Sequence, residues 1–149
     1  MLTKKTKYAV KALMALARNG DNKPMLIAEI AKQEGLPKRF LEAILLDLKR
    51  GQVLNSRMGA GGGYFLAKPA SEIMVSNVIR ILDGPIALWP CVSLNFYQRC
   101  EECVDEVTCG IREMMGRVRD ASIGIMGNTS IADLINKEKE LGENLTEGN

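Results

Sequence analysis

Residues 3–18 read as a helix, because Val10, Leu13, Met14 and Ala17 fall at i, i+3, i+4 and i+7 and so share one face. Lys4, Lys7, Lys11 and Arg18 form a stripe elsewhere on it, and Asn19-Gly20 and Pro24 supply the stop and turn. A short helix is expected over Leu26–Gln33, with Ile27, Ile30 and Ala31 inward, followed by Gly35 at a position of positive φ. Pro37 suits the first turn of a third helix running to Arg50, with Phe40, Leu41, Ile44, Leu45 and Leu48 inward. Lys38, Arg39, Glu42 and Lys49 are left outside, and Gly51 ends the helix.

Two short helices joined by a tight glycine turn make a helix-turn-helix, whose second helix enters a DNA major groove with its N-terminal residues at base edges. Any helical hairpin shares that pattern, so the next segment carries the distinction. Val53-Leu54 and Tyr64-Phe65-Leu66 are strand-like runs flanking Ser56-Arg57-Met58-Gly59-Ala60-Gly61-Gly62-Gly63, a β-hairpin with a glycine-rich tip and one arginine. A phosphate-cradling loop would need Gly-Lys-Ser/Thr opening a helix, whereas here a tyrosine opens a strand. The hairpin is therefore a wing, and the fold class is mainly α with a small β-hairpin.

A helix over Val75–Leu82, capped by Ser76 and stopped by Asp83-Gly84-Pro85, closes this region. Residues 85–108 show no sustained period. From Cys109 to Met126 a longer helix carries Ile111, Met114, Met115, Val118, Ala121, Ser122 and Ile125 at heptad-like steps, a stripe that serves a core or a dimer equally well. Thr129 or Ser130 caps a last helix through Glu140, and the polar tail is expected to be disordered. The organisation is thus a winged helix-turn-helix over residues 1–84, a cysteine-rich loop over 85–109, a dimerisation helix and C-terminal helix over 110–140, and a tail over 141–149.

The chain has 149 residues, 46% apolar and 26% charged, with no run of about 18 apolar residues. Met1–Lys7 holds three lysines and no apolar signal core, so the expectation is a cytoplasmic protein with no membrane partner. Net charge is +2, but residues 1–80 are +8 and residues 81–149 are −6, which points to a polyanion-binding half joined to one with another task. The absence of histidine removes the commonest general base and argues against a hydrolase.

Cys91, Cys100, Cys103 and Cys109 are the chain's four cysteines and lie within 19 consecutive residues as Cys-x8-Cys-x2-Cys-x5-Cys. In a reducing compartment clustered cysteines bind metal or do redox chemistry more often than they form structural disulfides. Four thiolates satisfy a 2Fe-2S or 4Fe-4S cluster, or a tetrahedral zinc ion. A thiol or disulfide switch is the second possibility. Inert packing fits poorly beside Glu101, Glu102, Asp105 and Glu106.

At this point the sequence resembles the bacterial winged-helix, iron-sulfur and redox-responsive transcriptional regulators that include IscR, NsrR and CymR. The matching stretches are Leu2–Ala17, Ile27–Ala31, Leu36–Leu48 with Phe40-Leu41-Glu42, Gly59–Tyr64, Val78–Gly84, the cysteine loop and Thr129–Leu134, so that the match covers residues 1–136. The resemblance implies a homodimeric regulator, expected to be a repressor and not an enzyme, that binds a pseudo-palindromic operator in double-stranded DNA. It puts Arg39, Phe40 and Glu42 at groove-reading positions and Arg57, Gly61, Gly62, Gly63 and Tyr64 at the wing. Thr3, Lys4, Lys5 and Lys38 would meet the backbone. Glu42 can accept from a cytosine amino group, and Arg39 or Arg57 can donate to guanine or phosphate. Sensing members bind their cluster through three cysteines, commonly with five residues between neighbours, and one branch adds a histidine three positions later. Cys103-x5-Cys109 keeps one interval, Cys100-x2-Cys103 replaces the other, and Arg112 stands at the histidine's place. Cys91 is the expected fourth ligand, with a carboxylate or a ligand from elsewhere as the alternatives. The rival readings are a zinc-stabilised regulator without sensing and, further off, a small electron-transfer or cluster-carrier protein whose basic half docks an acidic partner.

Overall fold

The computed structural model describes residues 2–147. At its centre is α1 (Lys4–Asn19), which buries Thr6, Ala9, Ala12, Leu13, Met14, Ala15 and Leu16. Of the expected stripe, Leu13 and Met14 are buried while Val10 and Ala17 are only half-buried. The difference arises because α1 is packed on several sides, and its alanines let neighbours approach where one wide stripe would serve a single contact. A helix enclosed on several sides loses the simple amphipathic signature. Gly20, at φ 108°, ends it.

α2 (Ile27–Glu34) and α3 (Lys38–Arg50) follow. Glu29 accepts the Leu26 backbone N–H at 2.8 Å, satisfying one of the donors left open at the start of α2. Gly35 closes the helix in the left-handed region (φ 63°, ψ 39°), as the turn requires. α3 turns Leu41, Ile44, Leu45 and Leu48 into the core. Phe40, expected to lie inward, is 63% exposed, since it sits one position off the i, i+3, i+4, i+7 set that starts at Leu41.

β1 (Leu54–Arg57) pairs antiparallel with β2 (Gly63–Leu66) in the register Leu54 to Leu66, Asn55 to Phe65, Ser56 to Tyr64 and Arg57 to Gly63. Leu54 and Leu66 are buried at its base. The hairpin is fastened to the turn before α2: Met25 and Tyr64 exchange both backbone hydrogen bonds at 2.8 Å. This approach is so close that a Cβ on Gly63 would lie 2.3 Å from the Met25 carbonyl oxygen.

α4 (Val75–Leu82) starts after Met74, and Ser76 is buried on its inner face rather than capping it. The strand-like bridge between Met74 and Ser130 fixes that start. α5 (Gly110–Gly127) contacts α4 and a short 3-10 turn at Pro90–Val92. α6 (Ile131–Glu147) opens with a reciprocal cap, in which Asp133 N–H donates to the Ser130 hydroxyl at 3.1 Å and Ser130 N–H donates to the Asp133 carboxylate at 2.8 Å. Of the two expected caps it is Ser130 that serves, while the Thr129 hydroxyl donates back to the Ile125 carbonyl. Its first turns return to α1: Ile131 is fully buried and Leu134 and Ile135 pack against the core. The helix continues past Glu140 to Glu147, through residues expected as tail, because no proline stops it, the single Gly142 is a tolerated cost, and Lys137 pairs with Glu140 at 2.8 Å. Among the described residues no helix is long and apolar enough to cross a membrane.

Candidate nucleic-acid interface and cysteine segment

The amino-terminal turn of α3 leaves Lys38, Arg39, Phe40 and Glu42 exposed. Beside it lies the amino end of α1, and between the two is a cavity of about 510 Å³ lined by Thr3, Lys4, Lys5, Tyr8, Phe40 and Ala43. The fold thus brings together Thr3, Lys4, Lys5 and Phe40, although more than 30 positions separate the first three from the last. They are not equivalent there. Lys5 is ion-paired to Asp47 at 2.6 Å. Thr3 gives both its backbone N–H and its hydroxyl to Asp83, at 3.0 and 2.6 Å. Lys4, Lys38 and Arg39 carry no ion pair among the described residues, so their charge faces outward.

The wing presents Arg57, whose guanidinium lies 4.9 Å from the centroid of the Phe65 ring. A cation held over a ring in this way gains about 0.5–1 kcal/mol at an exposed site and loses freedom to wander. The Lys49 ammonium donates to the Ser56 hydroxyl at 2.6 Å, tying the end of α3 to β1. The three consecutive glycines have separate internal reasons. Gly61 has φ 70°, a Cβ on Gly62 would meet the Arg57 carbonyl oxygen at 2.4 Å, and Gly63 is crowded by Met25. Tyr64 is half-buried, with its backbone engaged by Met25.

The cysteine segment is anchored at both ends and open between. Cys91 (4% exposed) and Val92 are buried. Two arginines of α5 hold their carbonyls: Arg112 Nε–H donates to Cys91 O at 3.3 Å, and Arg119 Nη1–H donates to Val92 O at 2.6 Å. At the other end Cys109 caps α5, its sulfur accepting the Arg112 backbone N–H at 3.4 Å. A thiolate there lies at the positive end of a helix dipole. Cys100 is exposed, and a hydrogen bond from its side chain to Cys91 pushes its thiol above the usual range, aided by desolvation and by the neighbouring Cys103 and Glu102. A turn with Cys103 N–H on Cys100 O at 3.3 Å sets the Cys-x2-Cys step, and Arg99 donates to Cys103 O at 3.2 Å. The Tyr97 hydroxyl is hydrogen-bonded to Glu106, which lies 3.9 Å from Arg112.

All four cysteines therefore lie on one stretch, with Cys100 near enough to Cys91 for its thiol to be influenced by it. Among the described residues no three metal-binding side chains converge, so the expected four-thiol set is not gathered as a single cage. The physical reason is that residues 94–108 form neither helix nor strand and are mostly exposed, and thiols have little reason to converge before a metal draws them in. As donors they fit an iron-sulfur cluster or zinc by chemistry: four thiols and no competing histidine.

Sequence reasoning places Asp83 only in a helix stop and does not single out Arg99 or Arg119. Arg112 and Arg119 are seven residues apart on one helix, a spacing visible in the sequence, but their partners are backbone carbonyls that no side-chain motif reveals.

α5 is the outlier in packing. None of its 18 residues is buried, and Ile111, Val118 and Ile125, at seven-residue spacing, are 57%, 40% and 71% exposed.

A family model described as "Rrf2: Iron-dependent Transcriptional regulator" matches residues 2–137. An rrf2-like HTH-type transcriptional regulator of Rhodobacter capsulatus is 41% identical over 138 residues, covering 91% of this chain and 92% of that one. The HTH-type transcriptional regulator IscR of Escherichia coli is 29% identical over 140 residues, covering 94% of this chain and 83% of that one. The solved structure of CymR, the global cysteine regulator of B. subtilis, superposes with a TM-score of 0.76 at 26% identity, covering 92% of this chain and 97% of that one. All three are regulators rather than enzymes.

Proposed function

The chain belongs to the Rrf2 family of DNA-binding transcriptional regulators, and from that premise we propose that it is a homodimer whose operator affinity is set by an iron-sulfur cluster on Cys91, Cys100, Cys103 and Cys109. The observation that carries the DNA-reading part is the exposed amino-terminal turn of α3, with Lys38, Arg39, Phe40 and Glu42 beside the lysines of α1. Residues at that turn of a recognition helix meet base edges in the major groove. Arg39 donates to guanine or phosphate, Glu42 accepts from cytosine, and each good bidentate base contact discriminates by about 1–3 kcal/mol. Lys4 and Lys38 neutralise phosphate, each contact contributing about −0.9 to the log-log salt slope. Arg57, steadied on Phe65, extends from the wing toward the minor groove.

The dimer is supported by α5, none of whose residues its own chain buries and whose Ile111 and Ile125 are left mostly exposed. A twofold axis through that apolar face makes the operator pseudo-palindromic, with half-sites about 34–36 Å apart or a multiple of that distance. When bound, the cluster supplies a centre that oxygen, nitric oxide or iron shortage removes. The chain's own residues link that centre to the dimer: Cys109 caps α5, and Arg112 and Arg119 fasten the carbonyls of Cys91 and Val92 to the same helix. Near-complete switching requires about 5.5 kcal/mol of preference between two states. The repressor reading rests on the family resemblance.

The test is anaerobic purification with iron, sulfide and zinc analysis, followed by selection of duplexes from a random pool and binding to the selected duplex. Iron with acid-labile sulfide, and an affinity that changes when the metal is stripped from wild type but not from Cys103→Ser or Cys109→Ser, is the expected result. Zinc without sulfide sinks the sensing reading and leaves a metal-stabilised DNA-binding protein. Reversible redox cycling with no sequence-selective DNA binding would favour an electron carrier instead.

A further inference from the structure

The amino end of α1 is held by a residue 80 positions away. The Asp83 carboxylate accepts three hydrogen bonds: Thr3 N–H at 3.0 Å, the Thr3 hydroxyl at 2.6 Å and the Thr6 hydroxyl at 2.5 Å. Thr3 is the N-cap residue, yet its side chain makes no cap to its own helix and turns instead to Asp83. The carboxylate thus takes the place over the first turn where unsatisfied N–H groups favour an anion. Burial opposes its charge, but the hydrogen bonds from Thr3 and Thr6 outweigh that cost and hold its pKa below the usual 3.8, so it is ionised at neutral pH.

What Asp83 joins is informative. On one side Thr3 is followed by Lys4 and Lys5, at the cavity shared with Phe40. On the other, Asp83 ends α4 and is followed by Gly84 and Pro85, the start of the cysteine segment. There Asp83, Pro85 and Leu88 line a second cavity of about 330 Å³ with Leu2, and with Val118 and Arg119 of α5.

We propose that Asp83 is a positioning residue for DNA binding, which acts through Thr3 and Thr6 to set the amino end of α1 and passes the strain of DNA contact to the segment 85–109. The inference rests on the reading of α1 and α3 as the DNA face. Because coupling between two sites is reciprocal, whatever moves the cysteine segment acts back on Lys4 and Lys5 by the same route.

The chain's single tryptophan, Trp89, lies in that segment, 40% exposed, and is a built-in reporter. The experiment uses the whole chain and a fluorescent duplex recovered by selection, comparing wild type with Asp83→Asn, Thr6→Val and Thr6→Ser, since Thr6 is buried and meets Asp83 but is not among the residues placed at the DNA. Asp83→Asn and Thr6→Val should weaken binding about tenfold. They should make the salt slope shallower by about 0.9 for each phosphate that is no longer neutralised. Asp83→Asn combined with Thr6→Val should be no weaker than Asp83→Asn alone, and Thr6→Ser, which keeps the hydroxyl, should match wild type. Saturation with unlabelled duplex should shift Trp89 emission in wild type and Thr6→Ser but not in the other two. If Asp83→Asn does not fold by circular dichroism, Thr6→Val carries both readouts. A lowered melting temperature with unchanged affinity and slope would make the clasp merely structural, and no Trp89 shift in wild type would refute the coupling. A wild type that selects no duplex overturns the DNA-face reading together with the proposal, whereas selective binding indifferent to all variants overturns the proposal alone.

Discussion

The exposed seam of α5 gives the sharpest quantitative prediction. Burying a whole isoleucine side chain contributes about 1.5–3 kcal/mol. Ile125 is 71% exposed, so covering it in a dimer recovers roughly 1–2 kcal/mol per protomer. A twofold axis counts it twice, giving about 2–4 kcal/mol for the pair. Ile125→Glu removes that gain and places two carboxylates in the seam, so the dimer dissociation constant should rise by about 30- to 700-fold or more. Sedimentation velocity or mass photometry over a concentration series measures the constant, and binding to a two-half-site duplex reports the consequence, since two separate monomers lose their shared attachment. Met58→Glu, at a wing-tip residue that is 96% exposed, is the matched control and should leave the dimer constant unchanged. A variant Ile125→Glu that dimerises like wild type would refute the argument that an unburied heptad-spaced face on this helix is a subunit interface.

Three further outcomes follow from the same geometry. Gly63→Ala forces a Cβ to within 2.3 Å of the Met25 carbonyl at φ 136°; thermal unfolding should show a loss of about 2–4 kcal/mol, and a melting temperature equal to wild type would mean that the wing is not fastened there. Glu42→Gln should relax discrimination at one base pair per half-site by about 1–3 kcal/mol while leaving the salt slope unchanged, measured on single-base operator variants; a uniform loss across all sequences would place Glu42 outside base readout. For acid stability the sign follows from Asp83, whose native pKa is depressed. Its contribution is present above the ordinary carboxylate value of 3.8 and is lost as pH falls through the lower native value. Asp83→Asn should therefore lower stability at neutral pH and flatten the fall below pH 3.8 in denaturant titrations, and an unchanged acid limb would contradict the hydrogen-bonded clasp.

Much of the local architecture is legible because it is written in short-range patterns. Gly35, the apolar set of Leu41, Ile44, Leu45 and Leu48, and the glycine-tipped hairpin all specify structure within a few residues of themselves. Phe40 reads as core but is exposed, because a pattern one residue wide of the true stripe looks inward until the neighbouring helices are known. Ser76 reads as a cap but is buried, because Met74 pairs with Ser130, more than 50 residues away. The helix past Glu140 escapes the sequence reading because a polar composition does not forbid a helix that begins in a core at Ile131.

By itself the sequence determined the helix-turn-helix, the wing, the confinement of four thiols to one segment and the separation of a +8 half from a −6 half. These follow from spacing, turn chemistry and composition, which are local or additive. Only the tertiary structure decided that Thr3 and Lys5 are engaged by Asp83 and Asp47, that the carbonyls of Cys91 and Val92 hang from arginines of α5, and that α6 returns to α1 while α5 is left uncovered. Those contacts join residues tens of positions apart, and whether a lysine is free or a helix face is buried depends on what the rest of the chain brings to it.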